Sequence, residues 1–266
     1  MFDSVVAFLR CPVCHDTLSR QERTLRCPRR HSFDMARQGY ADLSAGRLPH
    51  TGDSAEMVAD RAAFLTAGHY RFIAAALAEH RTDGLVVDAG TGTGDYLAGV
   101  LDGSPDAIGL GLDVSKPALR RAARAHPRAA AVLADLWRPL PVTDAAAAVV
   151  LNVFAPRNGP EFRRILRPDG VLLVVTPAAD HLTELITAHG LIQVDPDKAA
   201  RVSESLGAHF APVSITGHRR ELRLNAAEAR TLIGMTPSAR HVPVDGMPTG
   251  DVTVTAAVDV TAYRPI

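Results

Sequence analysis

Residues 84–95, Gly84-Leu85-Val86-Val87-Asp88-Ala89-Gly90-Thr91-Gly92-Thr93-Gly94-Asp95, pass from an apolar run into three alternating glycines and then into a helix reaching about Leu101. The run is short enough for a buried strand, and the glycines allow the turn that follows it. A glycine loop between strand and helix is where backbone approaches a bound ligand closely. On its own the G-x-G-x-G pattern says little, but two spacings strengthen it. Asp113 lies 23 residues beyond Gly90, at the end of a second apolar strand, Ala107–Asp113, where a carboxylate can accept both ribose hydroxyls. Asp135 follows a third strand, Ala130–Ala134, in a place from which a side chain can address an adenine amine. The loop lacks the G-x-G-x-x-G spacing of a dinucleotide fold, and Asp88 would repel a pyrophosphate while facing an ammonium group. S-adenosylmethionine is therefore expected in preference to NAD. The structural alternatives are that Asp113 caps the helix starting near Ser115 and that Asp135 caps a turn.

Outward from this loop, strands and helices alternate. Further strands are expected at Ala146–Leu151 and Gly170–Thr176, with a helix over Pro160–Leu166 between them and helices near Asp180–Ala188 and Asp197–Leu206. Upstream, Asp53 and Glu56 read as a capping box for a helix over Ala55–Leu65, and a break at Gly68-His69-Tyr70 precedes a helix to about His80. The pattern is that of a doubly wound α/β sheet. The carboxyl end differs: Asp251–Tyr263 alternates in part like a half-exposed antiparallel strand, with Ala208–Arg219 as its partner.

The amino-terminal tenth belongs to another chemistry. All three cysteines fall there, as Cys11-Pro12-Val13-Cys14, a twelve-residue spacer, and Cys27-Pro28-Arg29-Arg30-His31. Three thiolates and an imidazole form a closed tetrahedral zinc set, structural rather than catalytic because no coordination position stays open. His15, adjacent to Cys14, is the weaker competitor for fourth ligand and reads as a surface residue. An odd cysteine count argues against a disulfide framework. Between Arg10 and Arg37 seven arginines face three acids, which leaves 22 cations against 26 acids elsewhere in a chain of 29 against 29. The neutral total thus hides a basic module suited to phosphates, unless those arginines are only a solvated face. Phe33 and Tyr40 are candidates to stack on a base or to close the module's small core. The chain of 266 residues has no stretch near the roughly 20 apolar residues that span a bilayer, and Asp3 stands where a signal peptide needs a cation. The expected location is cytoplasmic. The expected domains are 1–45, a zinc-binding RNA-recognition domain, and 46–266, joined through a linker-like stretch from Gly39 to Asp53.

Several runs then carry a family resemblance: Cys11 to Tyr40, Gly52-Asp53-Ser54-Ala55-Glu56-Met57, Arg61 to Tyr70, the glycine loop, Gly111 to Lys116, Ala155-Pro156, and Thr176-Pro177 with His181-Leu182. Together they closely resemble the bacterial 23S ribosomal RNA (guanine-N1)-methyltransferases over essentially the whole chain. The resemblance implies a class I Rossmann-like methyltransferase domain with a small amino-terminal zinc-binding domain. Its implied cofactors are S-adenosylmethionine and structural zinc, and its implied substrate is a guanine in a hairpin of domain II of 23S rRNA. Cys11, Cys14, Cys27 and His31 fall on the family's zinc ligands, and Tyr70, Gly92, Thr93 and His181 on its S-adenosylmethionine contacts. Asp88, Gly90, Asp113 and Asp135 complete the expected cofactor site. Two departures stand out: Thr93, where relatives often carry an acid, and Asn152, where relatives can carry Arg at a strand end that borders the target base in related folds. Asp180 and His181 are candidate acceptors of the guanine N1 proton, with the Asn152 amide as an orienter, and no catalytic base is assigned. A subgroup of the family contributes to resistance to tylosin-type macrolides, and a homodimer clasping the RNA is a further implication. Two alternatives remain at this point: a small-molecule methyltransferase of secondary metabolism, indifferent to rRNA, and a non-catalytic zinc RNA-binding protein, unable to bind S-adenosylmethionine.

Overall fold

The computed structural model describes residues 2–49, 51–193, 195, 198–240 and 246–266. An eight-stranded sheet forms its centre, in the order β10-β11-β9-β8-β5-β6-β7-β4. These strands are β4 (Ala41–Asp42), β5 (Gly84–Ala89), β6 (Ala107–Asp113), β7 (Ala129–Leu133), β8 (Ala147–Val153), β9 (Leu166–Pro177), β10 (Phe210–Leu224) and β11 (Val252–Pro265). From β4 through β9 the pairings are parallel, whereas β11 runs antiparallel to β9 and to β10. Every residue of β7 and β8 is buried, as expected for parallel strands covered on both faces.

The two faces are distinct. Val86, Val149, Leu151 and Leu173 pack with Ile73 and Leu77 of α3 (Arg71–Ala78) and with Leu97, Val100 and Leu101 of α4 (Asp95–Gly103). Leu85, Val87, Leu110, Leu112 and Val132 face the other way, against Phe162 and Ile165 of α6 (Gly159–Ile165) and against the amino-terminal module itself. That module has a three-stranded antiparallel sheet of β1 (Ser19–Gln21), β2 (Thr24–Arg26) and β3 (Ser32–Asp34). Its Leu9, Cys11, Leu25 and Cys27 belong to the same buried cluster as Leu85 and Leu110. Burying a leucine fully contributes on the order of 1.5–3 kcal/mol, and Leu9, which also bridges to Val142, directs such burial at the seat of the module on the α/β domain. Backbone hydrogen bonding adds to the tie: Ala41 and Asp42 pair in parallel with Val132 and Leu133 inside the stretch whose composition reads as a linker.

Local chemistry sets the helix starts. Ser54, not Asp53, caps α2 (Ala55–Thr66), its Oγ accepting from Met57 N–H at 3.2 Å; Asp53 instead meets Arg61. Ser115 caps α5 (Lys116–Ala122), and Asn225 with Glu228 forms a capping box on α9 (Ala226–Gly234), a helix not anticipated from the sequence. The expected pairing of the carboxyl-terminal strand is present and longer than expected, from Phe210↔Pro265 to Leu224↔Val252. The helix near 180–188 starts later, as α7 (Thr183–His189), and the one near 197–206 is α8 (Lys198–Leu206); Asp197 lies outside the described residues. Among the described residues no helix is long and apolar enough to cross a membrane.

Candidate active site and zinc centre

Two tight turns bring Cys11, Cys14, Cys27 and His31 together. His15 N–H bonds the Cys11 carbonyl at 2.9 Å, and Arg30 N–H bonds that of Cys27 at 2.9 Å. The four ligand atoms all lie within 4.8 Å of one another. Cys14 Sγ is 3.6 Å from Cys27 Sγ, while His31 Nδ1 is 3.5 Å from Cys11 Sγ and 3.3 Å from Cys27 Sγ. A tetrahedral zinc ion with sulfurs at about 2.3 Å spaces its ligand atoms roughly 3.5–3.8 Å apart, so the donor set and its spacing fit that ion. His15 is exposed and outside the cluster.

The surrounding arginines divide by use. Arg10 sits over Asp144 and Glu161 of the α/β domain, Arg20 pairs with Asp3, and Arg29 pairs with Asp16. Arg23 donates to the Met35 and Ala36 carbonyls. Arg26, Arg30 and Arg37 are exposed, with no ion pair among the described residues. Tyr40 is 6% exposed and packs on Leu119, Ala122 and Leu133, so it closes a core and is not free to stack on a base. Phe33 is partly buried against the main core.

A cavity of about 810 Å³ opens at the carboxyl ends of β5, β6, β7, β8 and β9, where ligands bind in open α/β sheets. Tyr70, Gly90, Gly92, Thr93, Asp113, Asp135 and His181 all line it. Asp113 Oδ2 accepts Gly92 N–H and its Oδ1 accepts Ser115 N–H, both at 2.8 Å, so the carboxylate orients the glycine loop while facing the cavity. Burial raises its pKa despite those two donors. Asp135 accepts Trp137 N–H at 3.0 Å and has Arg138 at 3.6 Å, so it caps its turn as well as lining the cavity. Thr93 donates to Asp95 in the first turn of α4.

Asp88 is placed differently. It is 1% exposed, lies outside the cavity lining, and accepts from Thr91 Oγ1 at 2.8 Å; its other oxygen has no partner among the described residues. Burial pushes its carboxyl up to about 7, aided by Asp113 and opposed by the Thr91 hydroxyl. The glycines also serve the protein more than first expected. With φ +91°, a Cβ on Gly90 would collide with Ala155, and one on Gly94 would come within 2.9 Å of Ala125 Cβ. A Cβ on Gly92, at φ +54°, would lie 3.4 Å from the Arg61 guanidinium.

On the far side of β5, His181 accepts Ala257 N–H at Nδ1, 3.1 Å away. Burial drives its pKa down to about 4, so the ring is neutral, and with Nδ1 accepting, the proton sits on Nε2, 3.4 Å from the Tyr70 hydroxyl. That tautomer has no lone pair at Nε2 to take a proton. Asp180 is held by Arg219 through two hydrogen bonds of 2.9 and 3.1 Å, which lower its pKa, and it does not line the cavity. Asn152 is wholly buried and spends its amide N–H groups on the Ala89 and Pro156 carbonyls. None of the three offers a free base. The sequence reading missed Asp53 and Arg61, whose pair lines the cavity, and the wall formed by Met235, Thr236, Pro237 and Ser238 after α9. Only the Asn225-x-x-Glu228 capping signal could have pointed to that helix.

Against known proteins, the family model described as "RlmA, N-terminal", a zinc ribbon, matches residues 9–45. A provisionally named 23S rRNA (guanine-N1)-methyltransferase of Micromonospora griseorubida is 54% identical over the full length of both chains. The 23S rRNA (guanine(748)-N1)-methyltransferase of Streptomyces fradiae is 48% identical, again covering all of both. Among solved structures, a chain from the complex of the Haloferax volcanii Trm112 methyltransferase activator with a methyltransferase aligns at TM-score 0.54. It is 19% identical and covers 81% of this chain and 98% of its own, a likeness of fold.

Proposed function

Because this chain belongs to the bacterial 23S rRNA (guanine-N1)-methyltransferases, we propose that it methylates N1 of guanine 748 in a hairpin of domain II of 23S rRNA. The observation that carries the choice of nucleotide is the 48% full-length identity to the Streptomyces fradiae enzyme named for that position. Arg26, Arg30 and Arg37 are the exposed cations placed to grip the RNA phosphates beside the zinc centre. Asp113 and Asp135 would hold the ribose hydroxyls and the adenine amine, with Gly90, Gly92 and Thr93 around the rest of the cofactor and Tyr70 and His181 where the cofactor meets the base. The proposal extends to two copies of the chain clasping one hairpin.

S-adenosylmethionine supplies a methyl group already activated by its sulfonium. The remaining tasks fall to the chain: to align the nucleophile in line with that methyl and to exclude water. Guanine N1 is paired in a stem and protonated, so the base must leave its stack before it reacts. Neutral His181 and the buried Tyr70 hydroxyl are hydrogen-bond donors at the cavity wall, suited to a guanine oxygen that gains charge as N1 loses its proton. The proton itself passes to solvent. The test is incubation of unmodified 23S rRNA with methyl-labelled S-adenosylmethionine followed by nucleoside analysis. Label in 1-methylguanosine supports the proposal; label in any other nucleoside, or none, refutes it.

A further inference from the structure

Phe154, at the turn after β8, is held in a conformation that packing alone does not reward. Its φ is +52°, in the left-handed region that bulky side chains rarely adopt, yet the residue is 43% exposed and lines the cavity. The turn is clamped from both sides. Asn152 donates to Ala89 O at 3.1 Å and to Pro156 O at 2.9 Å, tying the end of β8 to the end of β5, while Phe154 N–H bonds Val175 O of β9 at 3.2 Å. Ala155 fills the space left by Gly90. Strain of this kind persists where the surroundings over-determine it, and its usual meaning is a side chain that must be presented to something.

What the ring faces follows from the sheet order. Asp113 and Asp135 stand on the β6 and β7 side of β5; Phe154 and His181 stand on the β8 and β9 side. There Phe154 lies 6.5 Å from the Tyr70 ring and 6.1 Å from His181, which are 6.2 Å from each other. This corner is aromatic and uncharged, since burial raises the Tyr70 pKa and keeps His181 neutral. A cavity of about 810 Å³ is near the upper end of the roughly 300–1,000 Å³ typical for one ligand, which leaves room for a base beside a cofactor.

We propose that Phe154 is the platform on which the target guanine stacks once it has left its stem, with Tyr70 and His181 bounding the same corner. The assignment rests on the reading of the reaction as guanine methylation. An exposed π-face accepts any base, so Phe154 supplies grip and orientation, and the polar neighbours supply choice.

The test uses full-length Phe154→Gly, Phe154→Leu and Phe154→Tyr with 23S rRNA transcripts, and S-adenosylmethionine binding by calorimetry. Glycine adopts φ +52° without strain, so Phe154→Gly keeps or raises the melting temperature. Methylation kcat/KM should fall about 30-fold in Phe154→Gly and about 10-fold in Phe154→Leu, with Phe154→Tyr within about 3-fold of wild type, the range expected for loss of one base stack. S-adenosylmethionine affinity should stay within about 2-fold throughout. Gly and Leu variants that methylate like wild type overturn the assignment, as does cofactor affinity falling in step with activity, which would place the ring on the cofactor. Wild-type protein that leaves 23S rRNA unlabelled overturns the reading of the reaction and this assignment with it; label from wild type and Phe154→Gly alike overturns the assignment alone.

Discussion

Asp88→Asn isolates the cost of one buried charge. In the folded protein the residue is 1% exposed, one carboxyl oxygen takes the Thr91 hydroxyl at 2.8 Å and the other has no partner among the described residues. Burial holds its pKa at about 7, against about 4 in an unfolded chain. The folded state therefore binds this proton more tightly than the unfolded state, and stability falls as pH rises between those two values. At about 1.4 kcal/mol per pH unit, the loss approaches 4 kcal/mol by pH 8. Asparagine keeps the shape and an acceptor for Thr91 but does not titrate. Its amide meets the same unpartnered space, at a cost of about 1–3 kcal/mol that is independent of pH. The informative quantity is thus the change with pH and not the offset. Urea denaturation of both proteins at pH 4.5, 6 and 8, without cofactor, should show the variant gaining about 3–4 kcal/mol relative to wild type across that range. Parallel stability profiles would refute the account of Asp88 as a carboxyl protonated by burial.

Other perturbations reach other parts of the account. Metal analysis should find one zinc per chain, and Cys14→Ser, outside the buried core, should lose it together with most RNA affinity while S-adenosylmethionine affinity changes little. Gly90→Ala forces a Cβ into Ala155 at φ +91°, and should cost about 3 kcal/mol, read as a melting temperature roughly 6–12 °C lower. Arg30→Ala, on an exposed cation with no ion pair among the described residues, should weaken RNA binding uniformly and reduce the slope of log affinity against log salt by about one. Because His181 is neutral far above its pKa of about 4, methylation should show no inflection from this ring between pH 6 and 8; a His181-dependent step there would contradict its neutral state.

The parts of this protein legible in its sequence are those where burial writes a continuous pattern. Ala107–Asp113 reads as a strand and is one to the residue, because a parallel strand covered on both faces is apolar throughout. The Cys11, Cys14, Cys27 and His31 cluster is legible because metal chemistry fixes both residue type and spacing. Less was legible where a residue's partner is distant in the chain. Ala41–Asp42 forms a strand only because β7 offers an open edge, and no two-residue pattern announces that. Asp53 looks like a cap until Arg61 competes for it. Arg10 counts as a basic-face residue until Asp144 and Glu161 appear beneath it. Asp88 carries the same letter whether it lines a cavity or lies behind the loop, and tertiary burial alone distinguishes the two. Phe154 is an ordinary strand-end aromatic in the sequence; its left-handed backbone arises from the Asn152 clamp.

The most direct test of the central claim is primer extension across domain II of 23S rRNA, before and after treatment with this protein and S-adenosylmethionine. A methyl on N1 removes a Watson–Crick donor and blocks the polymerase. One new stop is expected, adjacent to guanine 748, and it should depend on Cys14 of the metal-binding cluster and on Gly90. An unchanged extension pattern, or a stop at a base other than guanine, would contradict it.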